Sequence, residues 1–365
     1  MANAPIEVLI VDDSAIVRGL VTRALESDPG IKVMGSAMHG EAALRFLRDK
    51  SPDVVLLDVE MPVMGGLETL ERILALRPDM HVIMVSSLTI SGAEISLKAM
   101  RLGAVGCIAK PEARSASEAV AIVAKELVPL VLSLKKRRVA PAIVAPTAPR
   151  VMPSLAAPMP PSRPRFAQAT EILVVGSSTG GPRALEVFVK NLPHDFELPI
   201  CIVQHMPAFF TPMLAKHLGD DSGRPACEAK PDMVIENGHI YVAPGDYHFT
   251  LMRRDRRLVA QINQDPPEHF CRPSVNPLFR SAAACCGGGL IAVMFTGMGD
   301  DGLEGTGDVH RAGGHVIAQD EATSVVWGMP GAITRAGLVH QVLPLDEIDG
   351  AVGRAVRRIP QGALR

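Results

Sequence analysis

Two groups of residues in this sequence carry reactive chemistry. In the first, Asp12 and Asp13 close the apolar run EVLIVDD, Asp58 closes VVLLD, Ser86 closes HVIMVS, and Lys110 follows GCIA. Three carboxylates gathered at one point repel one another unless a hard cation shares them, and Mg2+ takes oxygen ligands of this kind. A carboxylate can also act as a nucleophile and form an aspartyl phosphate. A lysine and a hydroxyl beside it then hold the added phosphoryl oxygens.

The second group lies after residue 170. GSSTGG (176–181) follows the apolar EILVV and precedes the helical pattern ALEVFVKNL, and Gly176–Gly180 reads as G-x-S-x-G with Ser178 at its centre. A serine on a sharp strand-to-helix turn stands exposed above a sheet, and the helix N-terminus behind it offers free N–H groups to an oxyanion. A phosphate cradle is the rival reading, but the P-loop lysine is missing. Such a serine needs a base, and His205 in IVQHMP ends the next apolar run. TGMGDDG then brings Asp300 and Asp301 to another turn after GLIAVMF. Gly297–Gly302 also fits G-x-G-x-x-G with Asp320 further on, a dinucleotide fingerprint. Two aspartates inside that loop would repel a pyrophosphate, whereas an aspartate at a strand end can orient a histidine. The order Ser, His, Asp differs from the Ser, Asp, His of generic α/β-hydrolases.

Positioning these residues falls to alternating strands and helices. EVLIVDD, VVLLD, HVIMVSS and GCIAK read as strands buried on both faces, and SAIVRGLVTRALESD and GLETLERILAL as packed helices. The alternation predicts an α/β fold of two doubly wound parallel sheets. HIYVAPGDYHFTLMRRDRRLVAQI interrupts the second half and reads as hairpin strands. Residues 140–164 are rich in Pro, Ala and Ser, a linker in which no helical period persists. KKRR at 135–138 reads as a solvated helix end. The expected division is 5–122, a linker over 135–168, and 169–360. Net charge is −2, without the basic excess of a nucleic-acid binder. The apolar stretches are too short to span a bilayer, and the start MANAPIEVLIVDDS lacks a signal-peptide pattern, so a cytoplasmic protein is expected. Six scattered cysteines without a CxxC pair are expected to be reduced thiols.

On these motifs the first unit resembles a response-regulator receiver over about 5–122, which implies a flavodoxin-like fold for it. The resemblance makes Asp58 the phosphorylated aspartate and Asp12 and Asp13 the acidic pair. It makes Ser86 and Lys110 the switch residues, with the Glu60 carbonyl completing an Mg2+ site. Cys107 stands where receivers often carry an aromatic switch. The whole chain resembles the chemotaxis protein-glutamate methylesterase (CheB) family through GSSTGG, QHMP, YVAPGDYH, CRPSVNPLF, FTGMGDDG and WGMPGA. That implies Ser178 as nucleophile, His205 as base, Asp301 as orienting carboxylate and the Met298 N–H as oxyanion donor. No cofactor is expected in the esterase site. Asn276 replaces an aspartate frequent after RPSV. Tyr241, Pro244, His248, Arg272 and Ser274 are candidates for the cleft wall, and Trp327 for core or cleft.

The family resemblance implies hydrolysis of glutamate methyl esters on chemoreceptors, with deamidation of glutamines as a second reaction and a histidine kinase as phosphodonor. It implies no nucleic-acid partner and contact with the membrane only through receptor arrays. It further implies that the unphosphorylated receiver packs over the cleft. A DNA-binding regulator, a catalytically idle scaffold and a nucleotide-dependent oxidoreductase are the competing readings. The first would need a helix-turn-helix after the linker.

Overall fold

The computed structural model describes residues 4–86, 90–110, 115–134 and 169–356. The linker expected over 135–168, the basic cluster at 135–138 and the last four residues of the 169–360 unit lie outside them. The first unit runs β1 (Ile6–Val11), α1 (Ala15–Leu25), β2 (Ile31–Ala37), α2 (Gly40–Asp49), β3 (Val54–Asp58), α3 (Gly66–Leu76), β4 (His81–Ser86), α4 (Ile90–Leu102), β5 (Gly106–Ala109) and α5 (Ala116–Ser133). Its five strands are ordered β2-β1-β3-β4-β5, with every pairing parallel. β3 is buried throughout because helices cover both faces, which its unbroken apolar run requires. Residue 122 falls inside α5. That helix continues to Ser133 because Val123, Leu127, Leu130 and Val131 bury against the core that also holds Val21 and Leu25 of α1.

The second unit runs β6 (Ile172–Ser177), α6 (Gly181–Asn191), β7 (Ile200–Gln204), α7 (Thr211–Ser222), β8 (Ala226–Glu228), β9 (Ile240–Val242), β10 (His248–Arg254) and β11 (Arg257–Asn263). It continues with α8 (Val275–Cys286), β12 (Leu290–Met294), α9 (Leu303–Arg311), β13 (His315–Gln319), α10 (Met329–Arg335), β14 (Gln341–Leu343) and α11 (Ile348–Ala355). Seven strands form a parallel sheet in the order β14-β13-β12-β6-β7-β9-β8. The expected hairpin is narrower than its sequence pattern. β10 and β11 pair antiparallel around Asp255 and Arg256, both in the left-handed region (φ 50° and 66°). The preceding IYV is instead β9, captured by β7 and β8 in the parallel sheet.

In both sheets the chain reverses direction beside a central strand, β1/β3 in one and β6/β12 in the other. Ligands in open α/β sheets collect at the carboxyl ends of such strands. The two units also touch. Leu97 and Met100 of α4 join the same apolar cluster as Leu185 and Phe188 of α6, and Val326 packs into the receiver core with Val105 and Ile108. Arg101 of α4 bonds Glu186 through two nitrogens (3.0 and 3.1 Å) and Asp221 at 2.8 Å. No described helix is long and apolar enough to cross a membrane.

Candidate active site

At the first switch point Asp12 follows β1 and Asp58 ends β3, and both are buried to 2% exposure or less. The Ser14 N–H bonds Asp12 Oδ1 at 2.8 Å, which turns the chain into α1 and fixes that carboxylate. The Lys110 ammonium lies 2.8 Å from Asp58 Oδ2 and 3.3 Å from Asp12 Oδ2, though not in hydrogen-bond alignment with either. Burial raises the Asp58 pKa, and Lys110 only partly offsets burial and the neighbouring Asp12 charge. Asp12, Asp13 and Asp58 bring donor oxygens within 4.8 Å of one another. Buried carboxylate oxygens without a hydrogen bond, in an all-oxygen set, fit a hard divalent cation such as Mg2+. The Glu60 N–H is 3.4 Å from Asp58 Oδ1, so the backbone of Glu60 borders this cluster. Ser86 is buried at the end of β4, opposite Ala109 in the β5 pairing and one residue from Lys110.

The second switch point gathers the other group. Ser178 leaves β6, His205 leaves β7, and the loop after β12 carries Met298 and Asp301. The Ser177–Ser178 turn is held from beneath by Gln204. Its Oε1 accepts from the Ser177 hydroxyl (2.7 Å), and its Nε2 donates to the carbonyls of Ser178 (2.9 Å) and His205 (3.0 Å). One buried side chain thereby ties the serine turn to the histidine strand. The close fit dictates Gly181, where a Cβ would stand 1.9 Å from Gln204 Oε1. Gly180 sits at φ 78°, a conformation that L side chains rarely adopt.

His205 Nε2 donates to Asp301 Oδ2 at 2.7 Å. Asp301 also accepts from the Ser274 hydroxyl (2.7 Å) and from the Val275 N–H (2.7 Å) at the N-terminus of α8. Burial alone would raise the Asp301 pKa, but the bonds from His205, Ser274 and Val275 outweigh it, and the carboxylate is held below its ordinary range. Burial opposes the charged imidazole, yet Asp301 and Cys271 lift His205 to about 9. Asp300 turns the other way and pairs with His269 at 2.9 Å. The glycine-rich loop thus places Asp301 against His205 and Asp300 against His269.

His205 Nδ1 is the ring nitrogen left free by Asp301. Its contact is Cys271 Sγ at 3.5 Å, while no hydrogen bond joins it to Ser178 among the described residues. Ser178 and His205 instead share the wall of a cavity of about 120 Å3. The opposite wall is receiver: Met100, Val105, Gly106, Cys107 and Leu130. The Val105 carbonyl accepts the Gly180 N–H at 3.0 Å, so the first unit occupies a donor of the turn that carries Ser178. Among the described residues the N–H groups of Met298 and Thr179 carry no backbone hydrogen bond.

Other candidates have structural duties. Tyr241 is buried beneath the sheet, its hydroxyl bonded to the backbone of Val234 and Glu236, and it does not reach the cleft. His248 is buried and bonds Ser274 N and Pro266 O. Arg272 ties Asp246 to the carbonyls of Gln264 and Asp265. Asn276 bridges α8 to Glu304 and Gly305 of α9. Trp327 donates to the Gln319 carbonyl at 3.0 Å and lies under Arg335. Pro244 takes no part in the cavity wall. Sequence reasoning missed the roles of Gln204, Cys271 and Thr296, whose Oγ1 donates to Thr179 O at 2.9 Å. Gln204 had a signal, since it sits between the buried strand and His205; Cys271 and Thr296 stand in the blocks CRPSVNPLF and FTGMGDDG, which carry the family resemblance but not these contacts.

Residues 173–352 match the family model "CheB methylesterase", and residues 8–121 match "Response regulator receiver domain". A Caulobacter vibrioides protein-glutamate methylesterase/protein-glutamine glutaminase is 48% identical over 353 residues, spanning 96% of this chain and 99% of its own. A Rhodospirillum rubrum protein of the same description is 44% identical over 373 residues, spanning 98% of this chain and 96% of its own. The crystal structure of the Thermotoga maritima CheB methylesterase catalytic domain is 38% identical, covering 50% of this chain and 97% of that one with a TM-score of 0.49. With a CheB methylesterase domain behind a receiver domain and full-length relatives this similar, the chain belongs to the CheB protein-glutamate methylesterase family.

Proposed function

We propose that this chain is a phosphorylation-controlled protein-glutamate methylesterase of chemotaxis adaptation in which Ser178, His205 and Asp301 perform the hydrolysis and Asp58 receives the phosphoryl group. The single observation that carries the reading is the cavity lined by Ser178 and His205 on one side and by receiver residues on the other. A nucleophile and a base meet there under a movable cap.

Ser178 Oγ attacks the ester carbonyl of a methylated glutamate, and His205 Nδ1 takes its proton. Asp301 on Nε2 fixes the tautomer and stabilises the imidazolium. The Met298 N–H stabilises the oxyanion. His205 returns the proton to the departing methoxide, giving methanol, and water then hydrolyses the acyl-serine to free glutamate. The same steps on a glutamine side chain release ammonia, so deamidation is the second activity.

In the receiver, Asp12, Asp13, Asp58 and the Glu60 carbonyl would hold Mg2+, which when bound neutralises phosphoryl oxygens. Asp58 is the nucleophile toward a histidine-kinase phosphodonor, and Lys110 and Ser86 hold the transferred group. Ser86 ends β4 and Lys110 directly follows β5, and β5 carries Gly106 and Cys107 into the cavity wall. Rearrangement at Ser86 and Lys110 thus reaches the cap through one strand pair and shifts the population toward an open cleft. Cys107 takes the usual aromatic place, and burial pushes its thiol up to about 11, so it stays a neutral packing group. This reading puts the enzyme in the cytoplasm, meeting methylated chemoreceptors at membrane arrays.

The test is methanol release from methylated receptor membranes, with and without a small phosphodonor and Mg2+. Phosphodonor-stimulated release that vanishes in Ser178→Ala is expected. No release from the wild type under any condition would overturn the reading.

A further inference from the structure

Nothing in ester hydrolysis requires a thiol at residue 271. Yet Cys271 Sγ lies 3.5 Å from His205 Nδ1, and the opposite ring nitrogen is bonded to Asp301 at 2.7 Å. Asp301 is itself fixed by Ser274 and the start of α8. His205, Cys271 and Asp301 are one of two described groups whose potential metal-binding atoms lie within 4.8 Å of one another, the other being the acidic trio of the receiver.

The separation is informative. Tetrahedral zinc binds imidazole nitrogen at about 2.0–2.1 Å and thiolate sulfur at about 2.3 Å, which sets the two atoms about 3.6 Å apart. The Nδ1–Sγ distance is that of a thiol–imidazole hydrogen bond and equally that of a tetrahedral edge, so a cation could replace the thiol proton without moving either residue. A metal-binding histidine also usually donates its second ring N–H to a carboxylate, as His205 does to Asp301. We propose that His205 Nδ1 and Cys271 Sγ form a binding site for a thiophilic divalent cation such as zinc, and that occupation of this site shuts the esterase. The inhibitory part rests on the reading of His205 as the base, because the metal takes the lone pair that must accept the Ser178 proton.

Binding involves no redox change. The Cys271 S–H proton leaves to solvent, a metal–sulfur and a metal–nitrogen bond form, and water fills the remaining positions. Mg2+ prefers oxygen ligands and does not compete for the sulfur. The chain accordingly carries two divalent-cation sites separated by ligand softness, a hard one that supports phosphorylation and a soft one that silences hydrolysis.

Cobalt(II) titration of the full chain, with excess Mg2+ present to hold the acidic trio, reads the site without reference to activity. One equivalent is expected to produce a thiolate-to-cobalt charge-transfer band that zinc displaces and that Cys271→Ser and Cys271→Ala lack. Asp301→Asn is expected to weaken the affinity by about 10–100-fold through the lost carboxylate partner. In the unmodified protein zinc should protect Cys271 from alkylation, read by peptide mass, which does not depend on the folding of any variant. Zinc should also suppress wild-type methanol release, and the zinc needed, judged against each variant's own zinc-free rate, should rise about tenfold or more in Cys271→Ser. Absence of the band, its persistence in both Cys271 variants, or alkylation of Cys271 unaffected by zinc would overturn the site. A chain that binds cobalt through Cys271 but never releases methanol would instead count against the esterase reading.

Discussion

Asp58 and Asp301 are both buried aspartates at the carboxyl ends of parallel strands, yet their surroundings push them in opposite directions. Asp301 accepts from His205, Ser274 and Val275, and its pKa falls. Asp58 shares one lysine with Asp12, keeps an oxygen without a hydrogen bond, and its pKa rises. A carboxylate whose lone pairs are fully used can orient a neighbour but cannot attack. One left under-satisfied is poised to bind a cation or an incoming phosphoryl group. Donor supply, more than burial, separates the two roles.

The contrast can be broken by substitution. The largest effect is expected at the proposed nucleophile: Ser178→Ala should lower methanol release on the order of 10^6-fold, as in serine hydrolases where the nucleophile is removed. Asp301→Asn should cost about 10^4-fold in kcat, because the amide favours the wrong imidazole tautomer. Wild-type turnover in Ser178→Ala would remove that serine as the nucleophile, and in Asp301→Asn it would show that the saturated carboxylate orients nothing of consequence.

The pH profile sharpens the comparison. A base must be neutral, and a raised pKa keeps His205 protonated below about 9. Hydrolysis should therefore climb with pH toward that value, and Cys271→Ala should move the midpoint downward, since the thiol contact is one of the groups raising it. An unmoved midpoint would place the control elsewhere.

The smallest effect belongs to the cap. Arg101 is partly exposed where it bonds Glu186 and Asp221, and such pairs contribute about 1 kcal/mol or less. Arg101→Ala should raise basal methanol release by up to about fivefold without phosphodonor. A fall in basal release would mean that the pair supports the active form.

Much of this was legible before any coordinates. β1, β3, β4 and β5 announce themselves because sheets covered on both faces demand continuous apolar runs. β2 does not, since an edge strand half open to solvent mixes Lys32, Gly35 and Ser36 into its pattern. β9 was hidden inside an apparent hairpin because three residues cannot reveal which partner they choose. The site residues were legible as strand-end motifs. Their supports were not: Ser274 meets Asp301, and Cys271 meets His205, because the segment before α8 lies against the loops after β12 and β7, a placement the local pattern does not encode.

In the proposed function Ser178 is the nucleophile and phosphorylation of Asp58 uncovers it. A serine-directed phosphonate, with modified peptides followed over time in the full chain, tests both parts at once. Labelling at Ser178 that accelerates on adding a phosphodonor and Mg2+, and fails to accelerate in Asp58→Ala, is the predicted result. Labelling at another serine, or at Ser178 at one rate in all three conditions, would contradict the account.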